Sequence, residues 1–259
     1  MDLTLLRALE ASVAARKPVA TVTVLEGDHV GTELLVGEDA SLLQGTSGDG
    51  AIDRQLAAMA AESLRARQTQ ERLSSAASGE SRVFIESYPP PPSLVVVGAA
   101  HIAIPLTKFA QDLGFDVTLI DAREWFLTEE RFPHVEKRIL AWPDKGLAQV
   151  ALDAETYLVI LSHDPKFERP ALKAALPHPL RYIGAIGSRK THADRVATLR
   201  AEGVSEDDLA RIHAPIGLDI GAVSPEEIAL SILAEMLAVR SGRSGGFMDA
   251  RRTSAGATA

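Results

Sequence analysis

The segment Gly187–Lys190 (GSRK) combines small residues with two cations directly before a predicted helix, Thr191–Glu202. Backbone N–H groups at a helix start attract anions, and the Arg189 and Lys190 side chains add positive charge. The segment therefore favours binding of a phosphate-like group. The alternative is a solvated helix start with two surface bases. The residues predicted to bind are Gly187, Ser188, Arg189 and Lys190.

A second candidate is the turn Gly98–Ala103 (GAAHIA), which follows the apolar run Leu94–Val97. It nearly matches the dinucleotide-binding pattern G-x-G-x-x-G/A, whose glycines let the backbone approach a pyrophosphate. Ala100 stands where the second glycine is expected, and its methyl group disfavours an ordinary dinucleotide. Asp121 follows Gly98 at about the spacing of the acidic residue that binds ribose hydroxyls. These features favour a nucleotide-like ligand, whereas an acid that merely caps a loop is the alternative.

Other polar residues follow further predicted strands, at the edge where a parallel sheet binds ligands. The remaining residues of the predicted cofactor site are His101, Arg123, Ser162, His163, Asp164, His213 and Gly217. Histidines can act as acid–base groups or metal ligands, but their spacing here matches no zinc signature, so we predict no metal site. The absence of a Gly-x-Ser-x-Gly motif and of a P-loop disfavours hydrolase and NTPase activities. No catalytic residue can be named.

Alternating strands and helices position these residues. They predict an α/β fold, a Rossmann-like, parallel, doubly wound sheet in the C-terminal part of the chain. The predicted strands are Leu94–Val97, Phe115–Ile120, Arg138–Trp142, Tyr157–Leu161 and Arg181–Ile186. Predicted helices are Ile102–Leu113, Thr191–Glu202 and Pro225–Arg240. The last begins with a capping signature, Ser224-Pro-Glu-Glu, and is apolar nearly all round, which predicts burial. We interpret Trp125, Phe126 and Trp142 as core or interface residues.

The N-terminal part has a different pattern and is predicted to be a smaller α+β domain. It contains helical segments at 2–16 and 52–67, and strands at 19–25, 30–36 and 82–88, with a loose polar connection at 68–79. Four consecutive prolines then form a spacer, because proline cannot continue a sheet interior or a helix. The predicted organisation is an N-terminal domain at 1–88, a linker at 89–92, a Rossmann-like domain at 93–240 and a flexible tail at 241–259.

Composition narrows the class of protein. The 259 residues carry a formal net charge of −8, which disfavours nucleic-acid binding. There are no cysteines, so disulfides, thiolate metal sites and a cysteine nucleophile are excluded. We expect no secretory leader and no membrane span, because no suitably long apolar run occurs.

Five stretches resemble the XdhC/CoxI family of accessory proteins for molybdenum hydroxylase maturation. They are GAAHIA (98–103), VTLIDAR (117–123), LSHDPKFERPAL (161–172), YIGAIGSRK (182–190) and RIHAPIGLDIGAVSPEEIALSILAEML (211–237). The resemblance implies a protein that binds molybdenum cofactor (molybdopterin), supports its sulfuration and hands it to a xanthine dehydrogenase-type apo-protein. It implies a chaperone rather than an enzyme, and a homodimer. We expect a cytoplasmic location, with which the absence of cysteines is consistent. The implied partners are a molybdenum hydroxylase apo-protein and a cysteine desulfurase.

The chain departs from the family where cofactor contacts are implied. The family turn usually reads Gly-Ala-Gly-His, but here Ala100 replaces the second glycine, and the cysteines of many members are missing. If those cysteines contact molybdenum in the family, this chain must bind the cofactor differently, for example through its phosphate. Two other functions stay open. Gly98 and Asp121 also suit an NAD(P)-dependent oxidoreductase, and a scaffold that has lost its ligand would keep the same fold.

Overall fold

The computed structural model of the protein describes residues 2–76 and 79–249. The chain forms two compact units, Met1–Pro91 and Pro92–Ala259. The elements of the first unit are α1 (Leu3–Ala14), β1 (Val19–Glu26), β2 (Glu33–Gly37), β3 (Leu42–Gln44), α2 (Gly50–Arg65), β4 (Gln70–Ala76) and β5 (Gly79–Tyr88). Among the described residues, no helix is long and apolar enough to cross a membrane.

The first unit is an antiparallel sheet covered by α2. The five strands lie in the order β3-β2-β1-β5-β4. Leu56 and Leu64 of α2 join Val22 and Ile85 of the sheet in one buried cluster. Asp49 caps α2 by accepting the Ala51 N–H at 2.7 Å. The predicted α+β character of this part is therefore confirmed.

Two local predictions in this unit are wrong. The segment 68–79, predicted as a loose connection, contains strand β4, which pairs along its length with β5. β4 is a polar edge strand with Leu73 exposed to solvent, so it lacks the buried alternating face that reveals a strand in a sequence. The predicted strand at 30–36 begins only at Glu33, because Gly31 turns the chain with a φ of +85°. Residues 77 and 78 of the predicted connection lie outside the described residues.

The second unit alternates strands and helices. In order these are β6 (Ser93–Val97), α3 (Ala103–Asp112), β7 (Asp116–Asp121), a 3₁₀ turn (Glu124–Phe126), β8 (Lys137–Leu140), α4 (Pro143–Leu147), β9 (Thr156–Ile160), α5 (Pro165–Ala175), β10 (Tyr182–Ala185), α6 (Arg189–Ala201), α7 (Glu206–Ala210), β11 (Ile212–His213) and α8 (Pro225–Ser241). Sequence reasoning misses α4, α5, α7 and β11. Most of these are very short, and α5 contains an internal proline, Pro170.

All neighbouring strands of the second sheet run parallel, in the order β11-β10-β9-β6-β7-β8. The chain order therefore reverses between β6 and β9, which is the switch point of a doubly wound fold. Val95 and Val96 of β6 are buried on opposite faces. Leu106 of α3 and Met236 of α8 cover one face, and Leu172 of α5 helps to cover the other. The predicted Rossmann-like sheet is confirmed.

Several boundaries and environments differ from prediction. Helix α6 starts at Arg189 rather than Thr191, because Ser188 is its cap. Leu230 of α8 is 56% exposed, so this helix is not buried all round. Trp125 and Trp142 are 76% and 51% exposed, which rules out a place in the core. The predicted tail starts inside α8, whose last residue is Ser241, and its residues 250–259 lie outside the described residues.

The switch point depends on a close approach of two strand ends at Gly98. This residue has a φ of +104°, and a Cβ added to it would lie 3.3 Å from the Ser162 backbone nitrogen. We expect Gly98→Ala to destabilise the protein by more than the ~1–2 kcal/mol that a side chain costs in a left-handed conformation. The measurement is the free energy of unfolding in urea.

Gly203→Ala is the matched control. Gly203 also has a positive φ, +89°, but a Cβ there meets nothing within 4 Å. Gly203→Ala therefore has the same cost of a side chain at positive φ, but its Cβ makes no close contact. Equal losses of stability in the two variants would contradict the close packing at Gly98.

Candidate ligand-binding site

The turn after β6 lies at the switch point. The Gly98 N–H donates to the Ile120 carbonyl at 2.8 Å, and the Leu161 N–H donates to the Val97 carbonyl at 2.8 Å. These bonds hold the ends of β6, β7 and β9 side by side. Ala100 is half-buried and His101 is exposed, so neither side chain belongs to the packed core.

Asp121, at the end of β7, is fully engaged by protein groups. Its Oδ2 accepts the Ala99 N–H at 2.7 Å, and both oxygens accept bonds from the Arg123 guanidinium at 2.8 and 2.9 Å. The side chain has no exposed surface. Burial by itself would raise the pKa of Asp121, but the hydrogen bonds from Arg123 and Ala99 outweigh it and lower the pKa. In this arrangement Asp121 orients Arg123 and offers no oxygen to a ribose.

Arg123 is a fixed cation at the carboxyl edge of the sheet. Its guanidinium carbon lies 4.2 Å from the centre of the Phe126 ring and 5.2 Å from that of Phe167. The side chain is 36% exposed. The hydrogen bonds to Asp121 raise the pKa of Arg123, and the charge of Asp164 raises it further. Burial acts in the opposite direction but is outweighed. Arg123 therefore keeps its charge while part of its surface faces solvent.

The turn after β9 mainly serves to start α5. The Asp164 side chain accepts the Lys166 N–H at 2.9 Å, and the Asp164 N–H donates to Ser162 Oγ at 3.2 Å. His163 is exposed and borders a cavity of about 230 Å³ between α5 and α6. A buried ion pair, Arg195 Nη2 to Glu168 Oε2 at 2.8 Å, also lines this cavity. Sequence reasoning missed that pair, whose partners are far apart in the chain.

The predicted anion segment caps α6. Ser188 Oγ accepts the Thr191 N–H at 3.1 Å, so its side chain has a structural task. Gly187 has a φ of +141°, and Arg189 and Lys190 are exposed. Arg189 lines a cleft of about 450 Å³ together with the loop from Pro215 to Ala222. The structure thus brings Arg189 and Gly217 to the same cleft.

His213 belongs to a partly buried network centred on Glu235 of α8. Glu235 accepts bonds from the Tyr182 hydroxyl, from the Gly217 N–H at 2.8 Å and from His213 Nδ1 at 3.3 Å. Burial alone would raise the pKa of Glu235, but the bonds that it accepts outweigh burial and lower it. The network fixes the loop that carries Gly217. Sequence reasoning missed Glu235, and the one signal for it is a carboxylate in an otherwise apolar stretch of α8.

The predicted site residues therefore fall into two groups. Arg123 and the turns after β6 and β9 form one, whereas Arg189, Lys190 and Gly217 form the other. The described residues contain no group of three or more His, Asp or Glu side chains that could hold a metal ion. The three histidines of the predicted site lie at different places: His101 in the turn after β6, His163 beside the cavity between α5 and α6, and His213 against Glu235.

Comparison with known proteins identifies the family. Residues 94–236, more than half of the chain, match the model of the XdhC Rossmann domain. The chain belongs to the XdhC family. The resemblance seen in the sequence is thus confirmed, and the XdhC Rossmann domain accounts for the parallel sheet and for the loops described above.

Three curated relatives are similar to parts of the chain. YqeB of Escherichia coli K12, an uncharacterized protein, is 33% identical across 83% of this chain and 42% of its own length. A probable xanthine dehydrogenase subunit from Bacillus subtilis 168 is 31% identical across 62% of this chain and 46% of its own. The molybdenum cofactor insertion chaperone PaoD of Escherichia coli K12 is 38% identical across 36% of this chain and 29% of its own length. The chain spans less than half the length of each of these relatives.

The fold is shared with solved structures, as the following example shows. A crystal structure described as a xanthine dehydrogenase from Bacillus halodurans matches with a TM-score of 0.56 and 18% identity. The match covers 93% of this chain and 97% of that one. At this identity the likeness concerns the fold alone.

We expect Asp121→Asn to lower the free energy of unfolding at pH 7 by about 1.5–3 kcal/mol, because it removes a charged partner of Arg123. The pKa of Asp121 is lowered in the folded protein, so its contribution is complete above the ordinary value of 3.8 and is lost as pH falls through the folded value. Urea unfolding at pH 7 and near pH 3 measures both effects. The gap between wild type and variant should shrink at the lower pH.

Asp112→Asn provides the control, since Asp112 is an exposed acid at the end of α3. It should change stability by less than about 0.5 kcal/mol. If Asp121→Asn behaves like this control at pH 7, the carboxylate does not hold the junction together.

Proposed function

We propose that this protein binds molybdenum cofactor as cargo and delivers it to a xanthine dehydrogenase-type hydroxylase during the maturation of that enzyme. The observation that carries the proposal is the cationic carboxyl edge of an XdhC Rossmann domain, where Arg189 lines a cleft of about 450 Å³. Molybdopterin carries a phosphate, and an exposed arginine beside a helix N-terminus attracts that group. The names of two relatives, a cofactor insertion chaperone and a probable xanthine dehydrogenase subunit, support the same role.

The residues of the site fit the phosphate of molybdenum cofactor better than its metal. Arg123 and Arg189 offer positive charge at the carboxyl edge of the sheet, which suits a phosphate. No cysteine exists anywhere in the chain. The described residues offer no cluster of other metal ligands. The cofactor would therefore be held by its phosphate and its ring system, with the metal left without a ligand from this part of the chain.

This mode of holding suits a carrier. A cargo bound through its phosphate keeps the metal centre free for the acceptor protein. The family membership also supports a cysteine desulfurase as second partner, a homodimer and a cytoplasmic location, which we include in the proposal. An NAD(P)-dependent oxidoreductase is less well supported, because the Asp121 oxygens already bind Ala99 and Arg123.

Binding of released molybdenum cofactor tests the proposal. The wild-type protein should retain the cofactor in gel filtration at micromolar concentration, measured as molybdenum and as oxidised pterin fluorescence. We expect Arg189→Ala to weaken binding by about 1–3 kcal/mol, because one charge-assisted contact to phosphate is lost. Equilibrium titration gives the dissociation constants.

Arg54→Ala is the charge-matched control, since Arg54 is an exposed arginine on α2 in the other unit. It changes the net charge equally and should leave affinity unchanged. A wild-type protein that retains no cofactor would contradict the proposed function. Equal affinities of the Arg189 and Arg54 variants would remove Arg189 from the site.

A further inference from the structure

Two aromatic side chains stack at the edge of the sheet without being buried. The rings of Trp142 and Phe167 lie 4.9 Å apart with an angle of 17° between their planes. Trp142 follows β8 and Phe167 lies in the first turn of α5. Trp142 remains 51% exposed despite this stacking. Because half of this ring faces water, the protein lacks much of the stabilisation that full burial of a tryptophan provides.

Arg123 extends this pair. Its guanidinium lies 5.2 Å from the Phe167 ring centre and 4.2 Å from that of Phe126. The bonds to Asp121 prevent it from swinging away, so the cation and the rings form a preorganised group. We call Trp142, Phe167, Arg123 and Phe126 the aromatic platform.

The platform lies at the edge where ligands bind in this class of fold. β7 and β8 are neighbours, and the Ala141 N–H donates to the Asp121 carbonyl at 3.2 Å, which ties the two strand ends together. β6 adjoins β7 on its other side, so the platform and the Gly98 turn share the carboxyl edge of the sheet.

We propose that the aromatic platform stacks the planar heteroaromatic ring of a phosphorylated ligand on the exposed surface of Trp142. Aromatic side chains and arginine planes are the groups that proteins use to hold such rings. Arg123 supplies a cation for a ring carbonyl or a phosphate of the same ligand. The identity of the ligand rests on the proposed function, in which the ring is a pterin. A nucleobase has the same chemistry, and the experiment separates the two.

The chain is well suited to a fluorescence test because it contains two tryptophans, Trp125 and Trp142. Trp125→Phe leaves Trp142 as the reporter, and Trp142→Phe leaves Trp125. Pterin-6-carboxylate, CMP and GMP are the probes. We expect saturable quenching in the Trp125→Phe protein and none in the Trp142→Phe protein. A response to the pterin alone identifies a pterin platform, and a response to a nucleotide alone identifies a nucleobase platform.

Binding of the whole cofactor provides a second readout. Trp142→Ala should weaken it roughly 5- to 150-fold, the range found for loss of one stacking partner. Trp142→Phe should restore part of the affinity, because a ring is present again. Trp125→Ala is the matched control, as Trp125 is more exposed and contributes no ring to the platform.

The outcomes separate this inference from the proposed function. If wild type binds the cofactor and Trp142→Ala binds it equally well, the platform proposal is wrong and the carrier function stands. If wild type binds no cofactor while Trp142 responds to a probe, the carrier function is wrong and the platform stands. Absence of saturable quenching by all three probes at millimolar concentration also overturns the platform, whether or not Trp142→Ala folds.

Discussion

The buried carboxylate of Asp121 is the interaction on which the candidate site depends. It accepts the Ala99 N–H from the turn after β6 and binds the guanidinium of Arg123 through both oxygens. A carboxylate without exposed surface is costly unless its charge is matched, and here Arg123 and a backbone N–H match it. The same bonds that satisfy Asp121 fix the direction of Arg123. The first turn of the fold and the cation at the crevice are thus set by one side chain.

The sheet order turns this local arrangement into a binding edge. Because β7, β6, β9 and β10 are adjacent, their carboxyl ends bring Arg123, the Gly98 turn, the Asp164 cap and the Ser188 cap into one row. A second, partly buried carboxylate, that of Glu235, fixes the loop that faces Arg189. Charge and aromatic surface are therefore presented on rigid supports. In the proposed carrier function, the absence of cysteine leaves those groups to recognise the cargo.

The parts of the fold that could be predicted from the sequence are those with strong local signals. Continuous apolar runs such as Leu94–Val97 predict buried parallel strands. The capping box formed by Ser224 and Glu227 marks the start of α8. β4 could not be recognised, because a polar edge strand depends on its pairing with β5 and has no buried face of its own. The α6 boundary was misplaced by two residues because Ser188 acts as the cap.

The candidate site was predictable in its location but not in its contacts. Strand ends placed Asp121, Arg123 and Ser188 at one edge, yet the pattern assigned Asp121 to a ribose, whereas its oxygens bind Ala99 and Arg123. The stacking of Trp142 on Phe167 joins the residue that precedes α4 to a residue of α5, and the sequence revealed neither helix. Glu235 binds Tyr182 and His213, which lie in strands far from α8 in the sequence. Such pairs become visible only once the sheet order is known.

The most direct measurement of this account compares the affinities of the protein for molybdenum cofactor and for metal-free molybdopterin under anaerobic conditions. Recognition through phosphate and ring alone predicts dissociation constants that agree within about twofold, since RT ln 2 is only about 0.4 kcal/mol. A metal-free ligand that binds more than about tenfold more weakly would show that the protein recognises the metal, and would contradict the account.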